Sequence, residues 1–132
     1  MTSIQSKTKD KNYELEIHSA TGHTVIADEP IEVGGQNKGM APDEFIIAGL
    51  AACISATLKM YAQRKEWDLQ EVKTSIRFVD AEKKNEVPSI ETEIELIGEL
   101  DSKQKERLMV IAGKCPIHKM LTNGLEINNA MK

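Results

Sequence analysis

Tyr13, Leu15 and Ile17 alternate with Glu14, Glu16 and His18, the period-two pattern of a strand buried on one face. Thr21-Gly22 is a turn signal and His23 to Ala27 offers a second strand, so residues 13–27 read as a hairpin. Residues 1–12 are polar and read as a flexible N-terminus or as the lead into a strand. Between Asp28 and Pro42, Pro30, Gly34, Gly35 and Gly39 mark a loop around a short strand at Ile31 to Val33. Asp43 to Lys65 is predicted as a long helix: Pro42 breaks the chain before it, and Asp43 and Glu44 stand where the helix dipole favours acids. Val72 to Asp80 and Ile90 to Ile97 are predicted strands separated by a polar loop, the second with Thr92, Ile94 and Leu96 alternating with Glu91, Glu93 and Glu95. Ser102 to Gly113 reads as a helix capped by Asp101 or Ser102. Cys115-Pro116 opens a short helix, since proline suits the first helical position. Asn123-Gly124 closes it, and Leu125 to Asn129 reads as a last strand. The whole is an α+β chain, 1–132, organised as a single domain.

Within the long helix, Phe45 to Leu58 is apolar on nearly every side, apart from Ser55 and Thr57. Such a helix expects cover all round, which a chain of 132 residues struggles to provide. Ala48, Gly49, Ala51 and Ala52 would let another element approach closely, so a second subunit is expected to supply part of the cover. The uncharged run stops at Lys59, short of the roughly 20 residues of a membrane span. No apolar leader precedes Tyr13. The formal charge is −4, with acids and bases mixed along the chain. Phosphate backbones need clustered Lys and Arg, so neither nucleic acid nor membrane is an expected partner. Two cysteines do not make a secreted disulfide framework, and the expected compartment is the cytoplasm.

Those two cysteines are the candidate chemistry. Cys53 lies midway along the apolar helix, where a small core side chain is the plain alternative. Cys115 stands at a helix start, a position that favours the nucleophilic thiolate. His118 follows three residues later on the same helical face, where it could meet the sulfur; an exposed polar side chain is the competing reading. No CxxC or HExxH spacing suggests a metal site. No nucleophile elbow supports a serine triad, and no GK[ST] follows the glycines around residue 35 as a phosphate loop would require.

The run Gly39-Met40-Ala41-Pro42-Asp43-Glu44-Phe45 through Ala51-Ala52-Cys53, with Lys114-Cys115-Pro116-Ile117-His118 later, resembles the two cysteine motifs of the OsmC/Ohr family. The resemblance extends from about Tyr13 to Met131. It implies an OsmC/Ohr-like α+β fold, with antiparallel sheets around central helices in an intertwined homodimer. It also implies thiol-dependent reduction of organic hydroperoxides without metal, haem or flavin. In that reading Cys53 attacks the peroxide, Cys115 resolves the sulfenic acid as a disulfide, and a dithiol reductant, such as a lipoyl-type one, restores both.

The residues alone favour Cys115 as the activated thiol, whereas the resemblance assigns first attack to Cys53. Cys53 then needs a source of thiolate stabilisation, which the resemblance places in an acid–arginine pair. Asp43 aligns with the acid and Glu44 is its neighbour, but no arginine precedes Arg64. Lys38 is a substitute that lacks the planar two-point fork. Ten residues of helix rise about 15 Å, so an acid beside Cys53 would have to come from a partner helix or another segment. The alternative functions are a family member that binds a small apolar or thiol ligand in an interface pocket, and a thiol redox sensor.

Overall fold

The computed structural model describes residues 2–132. The chain divides into two compact units, one reaching to Ile46 and the other running from Ile47 to Lys132.

In the first unit, β1 (Ile4–Thr8), β2 (Leu15–Ser19) and β3 (Thr24–Ala27) form an antiparallel sheet in that order. The polar N-terminal segment is thus a strand from Ile4, paired along its length with β2. The predicted hairpin is present, with Leu15 opposite Ala27 and Ile17 opposite Val25. Ile31–Val33 is a 3-10 turn, not the expected short strand: Pro30 fixes φ at −67° before it and Gly34 closes it at φ 96°. A sharp turn of this kind leaves no extended edge to pair.

The loop is organised around Asp28, whose side chain is buried. Its Oδ1 accepts the backbone N–H of Tyr13 at 3.0 Å and of Glu29 at 2.8 Å. Its Oδ2 accepts those of Gln36 at 3.2 Å and Lys38 at 3.1 Å. Burial alone would push this carboxyl up, but the four N–H donors outweigh it and hold it below the usual carboxylate range. Where the loop returns to β3, Met40 bridges Ala27. Gly39 is required there because a Cβ would collide with the carbonyl of Ile26.

Helix α1 (Pro42–Lys65) begins with Pro42, Asp43 and Glu44 and ends with Arg64 and Lys65, each charge matching its end of the dipole. From Ile47 onward it belongs to the second unit. Leu50, Ile54, Leu58, Tyr61 and Ala62 form its buried face. A different face carries Ala48, Gly49, Ala52, Ala56 and Met60, all exposed, so much of this apolar helix is uncovered within one chain. α1 runs on through Lys59 and is, by length and composition, long and apolar enough to cross a membrane; the expectation from the shorter uncharged run is corrected on that point. A core helix meets the same test, and the buried face of α1 is packed into the second unit's core.

Strands β4 (Asp68–Val79) and β5 (Ser89–Glu99) form a long antiparallel hairpin. Val72, Ile76, Ile90, Ile94 and Leu96 pack from it onto the core. Arg77 and Glu91 pair across its exposed face. A register shift between Leu69 and Glu71 bulges β4 opposite Gly98. Lys59 reaches this bulge from α1, donating to the carbonyls of Leu69 at 2.8 Å and Gln70 at 3.2 Å. The charge that interrupts the apolar run therefore satisfies backbone acceptors that the irregular ladder leaves open.

Helix α2 (Ser102–Ala112) starts with a reciprocal capping box between Asp101 and Gln104. It buries Leu108, Ile111 and Ala112. Helix α3 (Pro116–Asn123) follows, with Cys115 as its N-cap. The expected strand from Leu125 to Asn129 does not form. Leu125 and Ile127 are exposed, and no ladder partner faces this segment among the described residues.

Candidate functional site

Two helices deliver the two thiols to one place. Cys53 sits on α1 between Leu50 and Ile54, which root that helix in the core, and is itself half-buried. Cys115 caps α3 and is fully buried, packed with Leu50, Ile54, Leu58 and Leu108. Both are free thiols. They share one neighbourhood: Cys53 packs against the core cluster that contains Cys115.

The environment of Cys115 reverses the expectation drawn from its helix start. Burial, and then the neighbouring Cys53 sulfur, push the Cys115 thiol up. The backbone N–H groups of His118 and Ile117 pull the other way without prevailing. The helix-start effect is real, since the His118 N–H donates to Sγ at 3.3 Å, but taking a thiolate out of water costs more than one such contact returns. Cys115 is therefore held toward its protonated form. His118 meets this sulfur through its backbone N–H, and not through the side-chain contact expected from its place on the helical face.

The His118 side chain faces a cavity of about 450 Å³. Leu50, Val87, Pro88, Ile90 and Leu121 make it mostly apolar, while Ser89, Thr92 and Thr122 add hydroxyls. Leu50 lies one helical turn before Cys53, and His118 reaches from this wall to the Cys115 sulfur. The lining from the β4–β5 loop carries no sequence motif and was not anticipated.

The other candidates are engaged locally in the first unit. Glu44 Oε1 accepts the backbone N–H of Ala41 at 3.0 Å, and Asp43 Oδ1 accepts that of Glu44 at 3.0 Å. Both thereby satisfy donors at the start of α1. Lys38 contributes its backbone N–H to Asp28, and its side chain joins no ion pair among the described residues. Asp28, the organiser of that loop, was missed by sequence reasoning; an aspartate just before a Pro/Gly-rich stretch is the only signal it leaves. No cluster of three or more potential metal ligands occurs among the described residues.

The fold and the site define an α+β protein that brings a half-buried helical thiol and a sealed one to the same core. The chain belongs to the OsmC-like protein family, which matches residues 35–129. Solved structures share the fold. An OsmC-like protein from Mycoplasma pneumoniae is 19% identical with a TM-score of 0.76, over 92% of this chain and 87% of that one. An organic hydroperoxide resistance protein OsmC from Legionella pneumophila is 18% identical with a TM-score of 0.68, over 92% of this chain and 88% of that one. An organic hydroperoxide resistance protein from Elizabethkingia anophelis is 19% identical with a TM-score of 0.65, over 90% and 86%. None of the curated proteins matches the sequence.

Proposed function

We propose that this protein is a thiol-dependent peroxidase that reduces organic hydroperoxides. The observation that carries the reading is that two free cysteines lying far apart in the chain share one core, Cys53 packing against the cluster that holds Cys115. Cys53 is the attacking group because solvent reaches it, whereas Cys115 is sealed and its burial pushes the thiol up. The Cys53 thiolate takes the outer oxygen of the hydroperoxide, the O–O bond breaks, and the alcohol leaves with a proton. The S–H of Cys115 then condenses with the Cys53 sulfenic acid, forming a disulfide and releasing water. A dithiol reduces that disulfide by exchange, leaving as its own disulfide. The reading draws further support from family membership and from the hydroperoxide resistance named for two structural neighbours.

No arginine precedes Arg64, so the S–H donated by Cys115 is the polar contact proposed to stabilise the attacking sulfur in place of an acid–arginine pair. The working form is proposed to be a homodimer. The exposed face of Gly49, Ala52 and Ala56 on α1 supports this, because small residues at helical spacing let a second helix approach. The test is consumption of cumene hydroperoxide with dihydrolipoamide, compared with Cys53→Ser. Turnover that requires Cys53 supports the reading; none with any dithiol removes it.

A second reading rests on the apolar cavity of about 450 Å³ and the missing arginine. There the protein binds a small apolar or thiol ligand without turnover. Saturable ligand-dependent thermal stabilisation, with no loss of peroxide, distinguishes it.

A further inference from the structure

A second concentration of chemistry lies around Tyr61, within the second unit. Arg107 Nε donates to the Tyr61 hydroxyl at 3.0 Å. The charged ends of Arg64, Lys65 and Arg107 stand 5.5, 5.7 and 5.8 Å from the centre of its ring. Trp67 meets the same ring edge-on at 5.6 Å. Arg64, Arg107 and Lys114 then converge on a cavity of about 390 Å³ floored by Met60 and Ile111.

Acidic residues outnumber basic ones in this chain, 21 to 17, yet no carboxylate pairs with any of these cations among the described residues. The α1 dipole accounts for Arg64 and Lys65 in the last turn. It does not account for Arg107 and Lys114, which arrive from α2 and from the segment before α3 to face the same space. Converging like charges repel, and an anion between them relieves that repulsion. The guanidinium fork suits a planar carboxylate in particular. The Tyr61 hydroxyl, pulled down by the Arg107 hydrogen bond and by the surrounding cations, registers the positive field of the pocket.

We propose that this cavity is a binding site for a small amphiphilic carboxylate. Its head is held by Arg64, Arg107 and Lys114, and its tail lies on Met60 and Ile111. The inference is independent of the thiol chemistry, and the occupant need not be a substrate.

Calorimetric titration of the full chain with sodium octanoate tests it, with octanol and inorganic phosphate as comparison probes. Octanoate is expected to saturate one site and to weaken as salt rises. Arg64→Gln with Lys114→Gln should lower its affinity by roughly tenfold or more, the scale of losing a charge-assisted hydrogen bond. Lys103→Gln, an equal change per charge on the exposed start of α2, should leave affinity unchanged, as should Cys53→Ser. The absence of saturable binding overturns the proposal. So does octanol binding as tightly, which removes the anion requirement, or phosphate binding as tightly, which removes the apolar floor. Equal weakening by Lys103→Gln shows an unlocalised charge effect and overturns it as well.

Discussion

Replacing Cys115 with alanine separates the first half of the proposed reaction from the second. The side chain is fully buried, so the substitution removes one methylene-sized atom from a packed core. Burial of such a group is worth about 0.8 kcal/mol. Incomplete collapse of the space and loss of the N-cap contact to His118 raise the total to about 1–2 kcal/mol. Domains of this size keep roughly 5–15 kcal/mol, so Cys115→Ala should stay folded with a Tm lower by roughly 3–10 °C. Lost turnover would then report chemistry and not unfolding. The variant should consume one equivalent of hydroperoxide per chain and stop, with Cys53 trapped by dimedone as its sulfenic acid. The wild-type chain should instead yield an intramolecular disulfide that intact-mass and peptide analysis place between Cys53 and Cys115.

The same burial predicts the order of alkylation in the reduced protein. Iodoacetamide should reach Cys53 first. Cys115 reacts only after local opening, and an opening cost of about 3 kcal/mol slows it roughly a hundredfold. Sustained turnover by Cys115→Ala at the wild-type rate with the same dithiol would refute the assignment of Cys115 as resolving thiol. Alkylation of Cys115 ahead of Cys53 in the folded protein would refute the exposure argument beneath it.

Asp28→Asn should destabilise the first unit at neutral pH, because an amide NH2 cannot accept the N–H groups of Gln36 and Lys38. The folded Asp28 carboxyl is held below its usual range, so its contribution is present above the unfolded carboxyl pKa, about 3.9. It is lost as pH falls through the folded value, so the urea midpoints of wild type and variant should draw together as pH falls below the unfolded carboxyl pKa. Gly98→Ala should cost at least about 2 kcal/mol by urea unfolding, since its φ is 149° and a Cβ would collide with the Asp68 carbonyl at the β4 bulge. Gly49→Leu meets nothing within the chain, where a Cβ is in open space, and improves helix propensity by about 0.8 kcal/mol. If the small-residue face of α1 packs on a second copy, light scattering should nevertheless show this variant shifted from dimer toward monomer; an unchanged dimer would place the interface elsewhere.

The elements legible in the sequence are those whose signals are local. Alternation at Leu15–Ile17 and Ile90–Leu96, the Pro42-Asp43-Glu44 start of α1 and the Asp101–Gln104 box each act within a few residues, and the structure places strands and helices there. Ile31 to Val33 forms a turn because its two β-branched residues, Ile31 and Val33, suit a strand only when an edge is available, and Pro30 and Gly34 close the chain instead. Leu125 to Asn129 carries an alternating pattern too, but pattern cannot supply a partner strand. Asp28 was invisible because its function is to accept N–H groups from Tyr13, Glu29, Gln36 and Lys38, a set assembled only when the loop closes.

The thiols show the same limit in electrostatic form. A helix start is readable from Cys115-Pro116, and it does deliver an N–H to the sulfur. Whether that N–H activates the thiol depends on burial, which comes from Leu50, Ile54, Leu58 and Leu108, distant in sequence. Because that burial wins, the helix-start cysteine is held toward its protonated form, and the cysteine on the apolar helix is the one solvent reaches. In the proposed cycle, the inertness of Cys115 is useful on two counts. Its retained proton is a hydrogen-bond donor to the sulfur that attacks. Its shelter from oxidants keeps it reduced until the Cys53 sulfenic acid has formed beside it.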